Sequence, residues 1–206
     1  MIKLPGETSH SKLKIAVIRK GTKLYRISSP SHPNPLFFNT DQSGRFNSPN
    51  SEFGICYMAD GFEAAFAESL GHSVSTKYEP SENKIIEESD LKAFHIYQIE
   101  VMKTLHVGEL CGSGLARLNI DNNINTSPKP YVVPQKWSLW VHSHPDILDG
   151  IRYHSRHLPD IRSEGLFERC VSKLKCIDTG AVINWSCPKT GKDILDLLED
   201  HGWGLY

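Results

Sequence analysis

Three segments place charged or hydroxyl side chains where local structure does not require them. Arg26 lies within the apolar frame of Leu24, Tyr25 and Ile27; Arg45 lies in the run Gly44-Arg45-Phe46-Asn47; and Ser155 lies in the basic and aromatic run Gly150–Arg156 (GIRYHSR). A guanidinium in a half-buried strand must find an anion, because leaving it unpaired out of water is costly. Either the protein supplies a carboxylate or a ligand does. For each arginine taken alone, an internal salt bridge is the default. Arg152 and Arg156 flank Ser155 and read as solvated side chains, with Asp149 as a turn residue. Glu68 falls well off the apolar stripe of its helix, where an exposed carboxylate is the ordinary outcome.

The other candidates for chemistry are weaker. His142-Ser143-His144-Pro145 is the HSHP sequence of JAMM-type zinc isopeptidases, but Arg152 and Ser155 stand where that family needs a Ser and an Asp ligand. His142 and His144 therefore read as surface histidines, and no metal site is expected. Cys56, Cys111, Cys170, Cys176 and Cys187 are scattered, without a C-x-x-C pair, which fits a reducing, cytoplasmic compartment. No G-x-G-x-x-G follows a strand, which disfavours a Rossmann redox enzyme.

The elements that position these residues follow from periodicity and turn chemistry. Lys23–Ser28 and 54–59 read as strands, and the Pro-, Asn-, Ser- and Gly-rich stretch 29–51 between them as a long irregular loop. A first helix should start after Asp60, with Asp60 and Glu63 as a variant capping box, Phe62, Ala65, Phe66 and Leu70 as its stripe, and Gly71 as its stop. Further strands are expected at 93–102, 105–107, 150–156, 167–171 and 181–183. A helix carrying Trp137, Trp140 and Val141 should end near Pro145, and a last helix should span about 190–200, with Gly202 as its stop. Residues 121–130 read as exposed turn. Trp137, Trp140 and Trp203 read as core or interface anchors.

Composition sets the class. The chain has 206 residues, 39% hydrophobic and 23% charged, enough to bury one core of α+β type with mixed sheets and flanking helices. Residues 1–20 read as an N-terminal extension and 21–206 as the domain. With 23 basic and 24 acidic side chains there is no global field to hold nucleic acid. No segment approaches the roughly 18–20 apolar residues of a membrane helix.

Taken together, the segments resemble the RES domain family, named for an Arg, a Glu and a Ser. The resemblance runs from about Gly21 to Gly202-Trp203-Gly204. It is carried by LYRIS with Arg26, GRFN with Arg45, CYMADGFEAAFAESL with Tyr57 and Glu68, and DGIRYHSR with Ser155. It implies a fold similar to the ADP-ribosyltransferase toxins and an activity on NAD⁺, consumed as a substrate by phosphorolysis or hydrolysis. Inorganic phosphate is then a possible co-substrate, no cofactor is needed, and an Xre-type antitoxin that blocks the cleft is the implied partner, with a homodimer also compatible. Some relatives instead ADP-ribosylate a protein, and a noncatalytic binding module is the reading from another class.

Under that resemblance each residue type has a physical reason. Nicotinamide leaves neutral through an oxocarbenium-like transition state, so a carboxylate suffices without a general acid. Glu68 would stabilise the developing charge, or hold a ribose hydroxyl and polarise the nucleophile. Arg26 and Arg45 match the pyrophosphate, Tyr57 would stack on nicotinamide or ribose, and Ser155 would orient the substrate.

Overall fold

The computed structural model describes residues 3–6, 8–30, 32–71, 85–156, 160–187 and 190–206. The chain order is β1 (Ile15–Ile18), β2 (Lys23–Ser28), β3 (Ile55–Ala59), α1 (Phe62–Phe66) running into a π-helical turn (Ala67–Gly71), β4 (Ile85–Ile86), α2 (Glu88–Ala93), β5 (His95–Val101) and β6 (Leu105–Glu109). It continues with α3 (Gly112–Leu118), α4 (Asn123–Thr126), α5 (Val132–His142), β7 (Gly150–His154), β8 (Arg162–Phe167), β9 (Leu174–Ala181), α6 (Ile194–Asp200) and β10 (Gly204–Leu205). Eight strands form one curled mixed sheet in the order β1-β6-β7-β8-β3-β2-β5-β9, antiparallel except for the β6–β7 pair, while β4 and β10 pair separately. The protein is thus a single α+β unit. No helix among the described residues is long and apolar enough to cross a membrane.

Strand alternation divides the core between the two faces of the sheet. Leu24, Cys56, Met58 and Leu166 enter one cluster. Their neighbours Ile27 and Ala59 pack under α1 and α6, and Ile55, Ile151 and Phe167 pack under Trp137 and Val141 of α5. The first residues join this body: β1 is an edge strand on β6, and the indoles of Trp137 and Trp140 donate to the carbonyls of Lys3 (2.7 Å) and Thr8 (3.2 Å).

One break in the sheet sets up the site. β2 pairs with β5 along all of Lys23–Ser28, and β3 pairs with β8 along all of Ile55–Ala59. Yet β2 and β3 meet in register only at Tyr25↔Ala59. Beyond that pair the strands part, and the residues on both sides of the gap line a cleft.

Several sequence expectations need correction. The N-cap of α1 is Gly61, with no side-chain cap, and neither Asp60 nor Glu63 forms the expected box. The last helix begins at Ile194, four residues after the expected start, because Asp193 and Asp196 form a capping box that satisfies the amides there. The strand expected at 167–171 lies earlier, as β8 ending at Phe167, and Glu168–Lys173 forms a 3₁₀ turn; likewise β9 ends at Ala181 and Val182–Asn184 is 3₁₀. Residues 121–130 are not simply exposed: they contain α4, whose Ile124 and Asn125 are fully buried. By contrast, 29–51 is irregular as expected, stitched by Asx turns at Asn34, Asn39 and Asp41.

Candidate active site

The cleft between β2 and β3 is a cavity of about 510 Å³, lined by Arg26, Arg45, Tyr57 and Glu68 among others. Ser155 stands behind it, almost fully buried, and donates a hydrogen bond to Glu68 Oε1. Five residues distant in the sequence therefore meet at one place.

Glu68 arrives there because the helix changes pitch. From Ala67 to Gly71 the backbone winds as a π-helix, a form that recurs at functional sites, and Ser69 Oγ donates to the Ile27 carbonyl (3.2 Å), tying the turn to β2. Glu68 is half-buried instead of lying on a fully solvated helix face. That is a correction to the helical-wheel reading, which assumed a regular α-helix.

The Gly-Arg-Phe-Asn run has a distinct task for each residue. A Cβ on Gly44 would lie 2.3 Å from Asn47 Oδ1 and 2.8 Å from the Tyr57 hydroxyl, so only glycine permits the approach. Phe46 is fully buried, and its backbone N–H donates to the Tyr57 hydroxyl (2.9 Å). That hydroxyl in turn donates to Asn47 Oδ1 (2.8 Å). Gly44, Arg45 and Phe46 all line the cleft, and Arg45 is the charged one. Burial pushes the Tyr57 phenol well above its ordinary range, and Tyr153 likewise, so both stay protonated.

The two arginines are held without a carboxylate. Arg26 Nη1 donates to the carbonyls of Pro35 (3.3 Å) and Phe37 (2.9 Å) and to Cys56 Sγ (2.8 Å). Arg45 Nη1 donates to the Ser127 carbonyl (2.7 Å), and the guanidinium lies over the Tyr131 ring, 4.6 Å from its centroid. Burial and nearby Arg156 lower its pKa from the usual value, while Tyr131 and Glu68 oppose this. The expected internal salt bridges for Arg26 and Arg45 do not form among the described residues. Lys129 and Arg156 also line the cavity, so four cationic residues line it together with Glu68.

Sequence reasoning missed several wall residues: Tyr131, Tyr153, Asn125 and Lys129. Tyr153 lies in the GIRYHSR run but was not singled out within it, and the other three belong to no motif. Asn125 and Lys129 come from the segment expected to be an exposed turn, and Tyr131 stands just beyond it.

The remaining candidates serve the fold. Arg152 is not solvated: its Nε meets Glu164 Oε1 at 2.7 Å on the interior of the sheet. Asp149 is a buried clamp, accepting from the His106 amide (2.9 Å) and pairing with Lys173 (2.6 Å). Nor are the histidines of the HSHP run surface groups. His142 stacks on Phe53 at 4.2 Å, and burial, then Arg169, lower its pKa to about 4. His144 is buried and accepts from the Asp146 amide. Burial raises the thiols of Cys56, Cys111, Cys170 and Cys176, the opposite of an activated nucleophile. No group of three or more His, Cys, Asp or Glu able to hold a metal ion occurs among the described residues.

The sheet thus parts around a cleft lined by Arg26, Arg45, Lys129 and Arg156, in which Glu68 is held by the buried Ser155. The RES domain model matches residues 23–188, and the chain belongs to that family. No curated protein matches it. Among solved structures it is similar to one described as the crystal structure of the M. tuberculosis MbcT-MbcA toxin-antitoxin complex, with a TM-score of 0.59 and 15% identity over 82% of this chain and 87% of that one. At that identity the likeness concerns the fold.

Proposed function

We propose that this protein cleaves NAD⁺ between nicotinamide and ribose and acts as the toxin of a toxin–antitoxin pair. The observation that carries the reading is electrostatic: Arg26, Arg45, Lys129 and Arg156 face one cavity without ion-pair partners among the described residues, opposite a lone carboxylate fixed by Ser155. A pyrophosphate supplies the missing anion, and the carboxylate supplies what an oxocarbenium-like centre needs.

In the reaction the C1′–N bond breaks and its electron pair leaves on nicotinamide, which departs neutral. The acceptor oxygen then bonds to C1′. Ser155 holds Oε1 of Glu68 and leaves Oε2 to a ribose hydroxyl or to the acceptor. Water as acceptor gives up a proton through Glu68; a phosphate dianion needs no base. Tyr57, protonated and pinned by Phe46 and Asn47, offers its ring to the substrate as a fixed wall. Membership of the RES family and the fold shared with a toxin crystallised with its antitoxin support this reading, and an Xre-type antitoxin covering the cleft is the partner it implies.

The test is release of nicotinamide from NAD⁺ by the purified chain, with and without inorganic phosphate. Turnover that rises with phosphate indicates phosphorolysis, and turnover indifferent to it indicates hydrolysis. Glu68→Gln should lower the rate about 10²- to 10³-fold with the fold intact, the scale set by losing one preorganised electrostatic group. Equal turnover by that variant removes Glu68 from the mechanism. Label transferred from NAD⁺ to a protein would point to ADP-ribosylation, and no turnover at all to a binding module.

A further inference from the structure

We propose that Tyr131 is a positioning residue that orients the Arg45 guanidinium for the anionic part of the substrate; the inference rests on the NAD⁺ reading above and assigns a residue to it. The guanidinium has one face on the Tyr131 ring, 4.6 Å from the centroid, and Nη1 on the Ser127 carbonyl at 2.7 Å. A guanidinium donates its hydrogen bonds in its own plane. An aromatic ring takes the face and consumes no donor, whereas a carboxylate in the same place would occupy donors and cancel the charge. The stack thus fixes the side chain while leaving the rest of its in-plane edge to a phosphate oxygen.

The ring is itself well placed. Tyr131 is the N-cap residue of α5, and its carbonyl accepts from the Gln135 amide at 3.0 Å. One turn on, Gln135 Nε2 donates to the carbonyls of Gln42 (2.9 Å) and Gly44 (3.0 Å), the backbone that leads into Arg45. The first turn of α5 therefore grips this stretch twice: Gln135 holds the main chain just before Arg45 and Tyr131 holds the Arg45 side chain. An arginine ordered before the ligand arrives loses less freedom on binding, which is the physical content of preorganisation.

The experiment measures binding of inorganic pyrophosphate, ADP-ribose and nicotinamide to wild type, Tyr131→Ala and Tyr131→Phe, together with NAD⁺ KM and kcat. Tyr131→Ala should weaken pyrophosphate and ADP-ribose about tenfold, the scale of a partly desolvated cation–π contact. It should leave nicotinamide binding unchanged and raise KM while kcat stays close to wild type. Tyr131→Phe keeps the ring face and should restore all of these. Equal pyrophosphate affinity in wild type and Tyr131→Ala overturns the proposal, as does an equal loss for nicotinamide or a Phe variant that behaves like Ala. Pyrophosphate binding reads Arg45 orientation without catalysis, so a chain that fails to cleave NAD⁺ refutes the enzymatic reading while the three pyrophosphate affinities still decide the role of Tyr131.

Discussion

Arg152 and Arg45 are both arginines held out of bulk water, and they are stabilised in opposite ways. Arg152 lies inside the sheet with its Nε on Glu164, a carboxylate whose other oxygen, Oε2, has no hydrogen-bond partner among the described residues. Arg45 lies on the cleft wall with a carbonyl, an aromatic face and, among the described residues, no carboxylate paired to it. A guanidinium already matched to a carboxylate belongs to the fold, and one fixed by neutral groups keeps its charge available for a ligand. Burial does not make this distinction, because both residues are half-buried.

The largest effect that would break this contrast is at Arg152. At about pH 8, where Glu164 is ionised, Arg152→Leu strands its charge and should cost about 3–5 kcal/mol of stability. Denaturant unfolding measures it, and NAD⁺ KM in the protein that remains folded should not change. The double variant Arg152→Leu, Glu164→Leu should recover most of the loss, since a buried pair replaced by apolar side chains is often neutral. Arg45→Leu should do the reverse: NAD⁺ KM up about 30- to 100-fold, from the loss of a charge-assisted hydrogen bond, with the unfolding midpoint nearly unmoved. A large stability loss at Arg45, or a KM effect at Arg152, would erase the difference between the two sites.

A smaller effect sharpens the contrast through pH. Burial, opposed by Arg152, raises the Glu164 pKa from 4.5 to about 7. The folded state therefore binds this proton more tightly than the unfolded chain, so the contribution to stability is complete below about pH 4.5 and is lost as pH rises through about 7. Thermal unfolding should show wild type losing ground to Glu164→Gln between about pH 5 and about pH 7.5. A flat difference over that range would mean that Arg152 holds Glu164 ionised throughout.

How much of this was legible in the chain depends on how local the cause was. LYRIS lies in a strand with the bounds its alternation gives, and the Asn, Pro and Ser of 29–51 make the irregular loop their turn chemistry requires. The five candidate residues converge at the cleft, a juxtaposition that family resemblance implied and no periodicity could. What sequence missed depends on contacts distant in the chain. The π-helical turn under Glu68 is tied to β2 through Ser69, and Arg152 meets Glu164 only because β7 and β8 pair in that register. Residues 121–130 look like solvent-facing turn by composition, yet Asn125 reaches the Leu110 carbonyl at 3.0 Å and draws α4 inward.

A sheet that separates after a single residue pair acquires two inner borders, and on the β3 side the loop residue Asn39 bridges Ile55. Such borders invite a foreign strand, and proteins normally keep them at the periphery and guard them there. Here the hydroxyl of Ser69 occupies the Ile27 carbonyl on one of them, one residue after Glu68. The short turn that carries Glu68 thus also occupies main chain that a foreign strand could pair with, so damage to that turn should surface as aggregation.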